Sequence, residues 1–382
     1  MSARTRLLVF VVTLPVIAFA LVGALLGQVW ARETSYANLR VFEDVVSLIA
    51  TSYVEDVNLS RVMKGALGGL AEGLDADSAY LSPDEVKQLE AETDKAPADI
   101  GVQLTRQYYL RVIAARDDSP AARAGLRAGD FLRVINDKPT RDMSVWEGTR
   151  LLRGEPGSTV RLLVIRGNAA DPHTIEVKRE VPPTPGVSGR VLDGGVGYVR
   201  VKAFGPGVAA ALAARASELT AAGASRLLLD VRDTADGPLE SGIGAARLFV
   251  AAGTLLHKET KGAGREPVPA GERAISQPAV VLVNRGTSGA AELFAAALAG
   301  NKRAELVGER TQGRAGIQRL VRLNDGSGML ITNAWYLTPA GEPIHQKGLT
   351  PTHLVEVPEI EFGGTPTGDP ILDKGLERAR AR

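Results

Sequence analysis

Apolar residues fall in three rhythms along this chain, and each predicts a different kind of element. From Leu7 to Leu26 they are nearly continuous, broken only by Thr13, Pro15 and Gly23. At about 1.5 Å per residue such a helix spans about 30 Å, the thickness of one bilayer core. Arg4 and Arg6 precede the run and no charge lies within it, which keeps the N-terminus cytoplasmic and sends the rest of the chain across the membrane. Residues 1–31 are therefore expected to be a signal anchor or a signal peptide. The only small-residue cleavage candidate is Val29-Trp30-Ala31. The expected location is the inner membrane, facing the periplasm, or the periplasm and extracytoplasmic space itself.

The second rhythm is helical. Val41, Val45, Val46 and Ile49, then Val62, Ala66, Leu70 and Leu74, recur at three- and four-residue steps, so residues 32–96 are expected to form a helical segment. Ser82-Pro83-Asp84-Glu85 has the N-cap, the proline at the first turn and the acid at N3 that open a helix. The third rhythm is short apolar strands between glycine-rich turns. Gly125 and Gly129 bracket a turn before the strand Phe131–Ile135, while Ser144 and Glu147 form a capping box for a helix ending at Gly154. After a proline- and glycine-rich linker from Pro182, strands 197–201, 227–231, 280–283 and 304–307 alternate with helices. One helix covers 208–219, and another carries Leu293, Phe294 and Leu298. That alternation predicts an α/β core with a partly parallel sheet.

Composition then removes several function classes. Forty-five basic residues balance 44 acidic ones, for a net charge of +1, and they are scattered, so nucleic-acid binding is not expected. With no cysteine there is no disulfide framework, thiol nucleophile or thiolate zinc site. His173, His257, His345 and His353 have no metal-ligating spacing, and neither a metal nor a cofactor is expected.

The stretch Asn284-Arg-Gly286-Thr287-Ser288-Gly289-Ala-Ala-Glu292, followed by Gly308-Glu309-Arg310-Thr311-Gln312-Gly313-Arg314-Ala-Gly-Ile-Gln318, resembles the nucleophile region of the carboxyl-terminal processing, or tail-specific, proteases. In that family Ser-Ala-Ser-Glu is followed by Gly-Lys-Gly-x-x-Gln, and the serine works with a lysine base. The alignment has no gap. It places the nucleophile position at Gly289 and the base position at Arg314, 25 residues apart as in the family, with Gln318 as the residue that orients the base. Glycine has no side chain to attack with, and a guanidinium does not deprotonate to act as a base. The family's oxyanion strand end, Asp-Leu-Arg-x-Asn-x-Gly-Gly, corresponds to Asp230-Val231-Arg232-Asp233-Thr234-Ala235-Asp236-Gly237, in which Asp236 replaces a glycine. A carboxylate about 4 Å from a developing anion costs on the order of 4 kcal/mol at an effective dielectric near 20.

Residues 97–180 resemble a PDZ domain through Ile100-Gly101-Val102, Ser119-Pro120-Ala121-x-x-Ala124-Gly125-Leu126-x-x-Gly129-Asp130 and Leu151-Leu152-Arg153-Gly154-x-Pro156-Gly157. The resemblance implies that a peptide tail adds beside the edge strand at Gln103 and Leu104, its carboxylate held by amides of the loop Ile100, Gly101 and Val102, with Asp99 as an acidic neighbour. The expected fold is a multidomain α/β (α+β) chain: the N-terminal helical segment, the PDZ domain at 97–180, a ClpP/crotonase-like protease core at 181–357 and a C-terminal tail at 358–382. Two functions follow from the resemblance. One is an inactive homologue, anchored through residues 7–26, that binds peptide or protein tails or pairs with itself or an active relative in an oligomer. The other is a working serine endopeptidase that uses Ser288 as a displaced nucleophile.

Overall fold

The computed structural model describes Thr13 and residues 39–91, 97–167, 171–182, 186–272, 274–364 and 367–381. The expected membrane segment, apart from Thr13, lies outside the described residues. Among these, no helix is long and apolar enough to cross a membrane. Contacts divide the chain into two units with the boundary between Gly65 and Ala66.

Residues 39–52 are helical, and α1 (Leu59–Glu72) follows after a short irregular break. The helical spacing is as expected, but the apolar positions are not all covered: Leu70 and Leu74 are 64% and 58% exposed. Strand β1 (Ala79–Leu81) leads into α2 (Pro83–Ala91), whose start is a reciprocal cap. The Ser82 N–H donates to Glu85 Oε2 at 2.8 Å and the Glu85 N–H returns to Ser82 Oγ at 3.4 Å.

The PDZ-like module is an antiparallel sheet of β2 (Val102–Gln107), β3 (Tyr109–Ala115), β4 (Phe131–Ile135), β5 (Lys138–Pro139), β6 (Thr159–Ile165) and β7 (His173–Lys178). The order is β2-β3-β4-β6-β7 with β5 on β4, which leaves β2 at an edge. Helix α3 (Pro120–Arg123) is capped by Ser119 Oγ and α4 (Val145–Leu152) by Ser144 Oγ, which accepts the Glu147 N–H at 3.1 Å. Ile100, Leu110, Leu132, Ile135 and Leu162 form the module's own fully buried centre.

The second module begins with β8 (Val187–Leu192), β9 (Val196–Val201), α5 (Val208–Ala221), β10 (Arg226–Asp230) and α6 (Leu239–Arg247). It continues with β11 (Thr254–Thr260), β12 (Gly264–Pro269), β13 (Ala279–Val283), α7 (Ala290–Gly300) and β14 (Ala304–Gly308). It closes with β15 (Gly316–Arg322), β16 (Gly328–Leu337), β17 (His353–Leu354) and α8 (Pro370–Ala381). The main sheet has the order β17-β14-β13-β10-β9-β8, parallel except for the antiparallel β8–β9 pair. A second, antiparallel sheet joins β1, β16, β11 and β12, with β15 on β16.

All five residues of β13 are buried, as a central strand covered on both faces must be. Val281 and Val283 face a core with Leu227, Leu229 and α7, while Val280 and Leu282 face the opposite side with Val196, Leu228 and Val307. That opposite face is covered by Ile371 and Ala379 of α8. The residues expected as a trailing tail thus include a helix that completes the core. Replacing Ile371 with Ala should cost about 2–4 kcal/mol, measured as a lower urea midpoint with an unchanged slope.

Candidate functional site

The strand-to-helix turn from β13 into α7 is bound to the exit of β10 by its own backbone. Asn284 Oδ1 accepts the N–H groups of Asp233 (2.9 Å) and Gly286 (3.0 Å), while its amide donates to Asp233 Oδ1 at 3.0 Å. Thr287 Oγ1 donates to the Val231 carbonyl at 2.9 Å and the Ser288 N–H to the Thr234 carbonyl at 3.0 Å. Gly289 caps the helix with φ 61° and ψ −121°. This combination is nearly closed to residues with a Cβ, and it is the kind of sharp elbow that aims one side chain out of a strand–helix turn. Here no side chain is aimed. A Cβ built on Gly289 would find room, its nearest neighbours being Leu239 Cδ2 at 3.7 Å, the Arg314 carbonyl oxygen at 3.9 Å and the Ala235 carbonyl oxygen at 4.0 Å. Outside residues 288–290, the two polar atoms closest to that point are carbonyl oxygens.

Glu292, expected to serve the helix N-terminus, does more than that. Its fully buried carboxyl takes the Gly289 N–H (3.1 Å) and the Arg314 N–H (2.7 Å) on Oε2, and the Gly313 N–H (2.6 Å) and the Thr311 hydroxyl on Oε1. One side chain therefore holds the nucleophile position and the base position in register. Burial pushes its pKa above the usual carboxylate range, and the four donors oppose that rise.

Arg314 is turned to a partner that the sequence did not single out. Its Nε donates to Asp77 Oδ2 at 3.0 Å and its Nη2 lies 2.9 Å from Asp77 Oδ1, a two-point ion pair. Gln318, expected to orient the base, donates its amide to the Asp77 backbone carbonyl. Asp75 Oδ1 in turn accepts the N–H groups of Asp77 and Ser78 at 2.9 and 2.6 Å, fixing the loop that carries Asp77. A cavity of about 230 Å³ lies here, with Asp77, Arg106, Arg111, Gly313, Arg314 and His345 in its wall.

Asp236 is not left to face the site alone. Its Oδ1 accepts the Gln103 amide and its Oδ2 lies 3.2 Å from Arg116 Nη1, whose Nη2 pairs with Asp99 at 2.8 Å. Arg116 thus bridges both acids, which leaves one net negative charge among the three groups. Gly237 packs on the Phe204 carbonyl, where an added Cβ would lie 2.1 Å from the oxygen. Thr234, standing where the family has asparagine, is buried, donating to the Val201 carbonyl and accepting from Arg200 Nη1 at 2.9 Å.

The structure does not equip Ser288 for attack. Its side chain is 1% exposed and its hydroxyl has no hydrogen-bond partner among the described residues. Lys302 lies beyond the far end of the eleven-residue helix α7, on the order of 16 Å along its axis, and Lys347 is exposed. In the PDZ-like module, Ile100, Val102 and Leu104 are buried, and Gly101 has φ 79° with Ser119 Cβ only 2.3 Å from where its own Cβ would sit. A bulky residue at Gly101 would therefore perturb the fold, not merely block a groove. The predicted edge and the predicted oxyanion region meet through Gln103 and Asp236.

Comparison with known proteins places this arrangement. Residues 195–355 match peptidase family S41 and residues 111–166 match the PDZ domain. The chain is 33% identical to the carboxyl-terminal-processing protease of Synechocystis sp. (strain ATCC 27184 / PCC 6803 / Kazusa), over 74% of this chain and 68% of that protein. The chain belongs to the carboxyl-terminal processing protease family. It is also 29% identical to the carboxy-terminal processing protease CtpA of Bacillus subtilis (strain 168), over 94% of this chain and 79% of that one. Among solved structures, the photosystem II D1 C-terminal processing protease superposes with a TM-score of 0.68 at 27% identity, covering 82% of this chain and 92% of the other. Bonds of the Asn284 and Thr287 side chains and of Glu292 hold together the segments that carry Gly289 and Arg314.

Sequence reasoning missed Asp77 because a lone aspartate in the loop before β1 carries no spacing. It missed Arg116 because a lone arginine carries no spacing. Replacing Glu292 with Gln should cost about 2–4 kcal/mol, since its NH₂ would face two N–H or O–H donors, and a chemical melt would read this directly. Replacing Gly289 with Ser should fold with a loss of about 1–3 kcal/mol from the elbow conformation, read as a lower melting temperature.

Proposed function

We propose that this protein is a catalytically inactive member of the family that binds the C-terminal tails of other polypeptides, anchored through residues 7–26 with its PDZ and protease-like modules on the extracytoplasmic side. One observation carries the reading: the elbow at position 289 is intact but bears no side chain, and the guanidinium at position 314 is committed to Asp77. Nucleophilic catalysis needs a nucleophile and a base within hydrogen-bond reach, and both roles are empty. The PDZ module retains its edge strand β2 and its Ile100-Gly101-Val102 loop, which supports recognition of an extended tail by strand addition.

Incubated with unfolded substrates bearing apolar tails, the protein should show no turnover. The same assay on Ser288→Ala tests the competing reading, because turnover in the natural protein that vanishes in this variant would overturn the proposal. A Gly289→Ser/Arg314→Lys double variant restores both missing groups and provides the positive comparison. An apolar tail peptide should bind saturably, and amidating its C-terminus should weaken binding by about tenfold or more, measured by fluorescence anisotropy.

A further inference from the structure

A second cleft, of about 1170 Å³, lies at the seam between the PDZ module and the core, bounded in part by Arg111, Phe131, Asn284, Arg285, Glu309 and Phe362. Two guanidinium groups converge in it. The point where a side chain on Gly129 would begin lies 3.5 Å from Arg111 Nη2 and 4.0 Å from Arg285 Nη1. Arg285 is held by Glu309, with Nη2 at 2.7 Å and Nε at 3.1 Å from the same carboxylate oxygen. Glu359 and Asp233 also attract it at longer range. Of the other arginines of the cleft, Arg166 is matched by Asp130 and Arg232 by Asp230 and Asp369, while Arg127 donates to the Gly364 carbonyl at 2.9 Å.

Arg111 is different. Its polar contacts are neutral and long, to the Gly129 carbonyl and the Gln107 side-chain oxygen, both at 3.4 Å. Among the described residues no carboxylate pairs with it. The guanidinium carbon sits 5.5 Å over the Phe131 ring, which holds the fork in place. Burial and the neighbouring Arg285 both lower its pKa, so this cation is held at a cost that an anion between the two groups would relieve. Arg111 also lines the smaller cavity beside Gly313 and Arg314, so an anion held there would adjoin the former catalytic centre.

We infer that Arg111, with Arg285, is a binding site for a carboxylate carried by a polypeptide lodged at the seam between the PDZ module and the core. The planar fork of arginine fits a carboxylate at two points, and a cleft of about 1170 Å³ has room for a peptide segment. The inference rests on the tail-binding reading above and adds a charge requirement to it. Two sources share this chemistry, an acidic side chain of the bound segment or its own terminal carboxylate.

The test uses the full-length protein and peptides with one apolar tail that carry a single Glu, or Gln in its place, at successive positions, each with a free or an amidated C-terminus. Replacing Glu with Gln at one position should weaken binding about tenfold in the natural protein. That penalty should disappear in Arg111→Gln and persist in part in Arg111→Lys. If the amidation penalty is the one that disappears in Arg111→Gln, the terminal carboxylate is the group held, and the site stands. Arg285→Gln, on a different strand end, provides the same comparison should Arg111→Gln fail to fold. Penalties unchanged in the variants, or peptide binding indifferent to both charges, would overturn the site while leaving tail binding intact. Failure of every peptide to bind would overturn both readings.

Discussion

The buried carboxyl of Glu292 is the interaction on which the protease-like half of this molecule is organised. It gathers the N–H of Gly289 from one segment, and the N–H groups of Gly313 and Arg314 with the Thr311 hydroxyl from another. None of these donors can be satisfied by water at that depth, so each would be left unpaired if the carboxyl were lost. A group under this constraint must be kept whether or not chemistry is still performed. That explains how the frame of a protease can outlast its reactive groups.

The same logic separates what was kept from what was changed around it. The side chains of Asn284 and Thr287 tie the turn to the exit of β10, and Asn284 also accepts the Gly286 N–H within it, so altering Asn284 or Thr287 would open the turn. Gly289 has no side chain to take part in those bonds, and the Arg314 side chain is turned away from them to Asp77, whose backbone carbonyl also accepts the Gln318 amide. Asp236 has likewise become a docking residue, joining the oxyanion strand end to Gln103 and Arg116 of the PDZ module. Further ion pairs, Arg200 with Asp117 and Lys202 with Asp118, cross the same boundary. Contacts between the two modules thus run through the region of Asp236.

Much of this was legible along the chain. The alternation of short apolar runs and helical spacing marked the parallel sheet because strands buried on both faces need continuous apolar residues, as β13 has. Glycine and proline punctuation marked the PDZ module, since turns with positive φ accept few other residues. The exposed Leu70 and Leu74 show the limit of such reading, because periodicity reports a helix but not what covers it. The helix near the C-terminus escaped for a related reason. Its burial depends on a sheet face formed by residues from Val196 to Val307, far earlier in the chain.

By itself, the sequence determined the family and the presence of a PDZ domain ahead of the protease-like region, because each follows from which side chains exist at which spacing. Only the tertiary structure decided where the remaining charges go. That Arg314 pairs with Asp77, that Arg116 bridges Asp99 and Asp236, and that Arg111 stands near Arg285 with no carboxylate paired to it among the described residues are all long-range facts. An ion pair is set by distance and burial, and neither is encoded in local spacing.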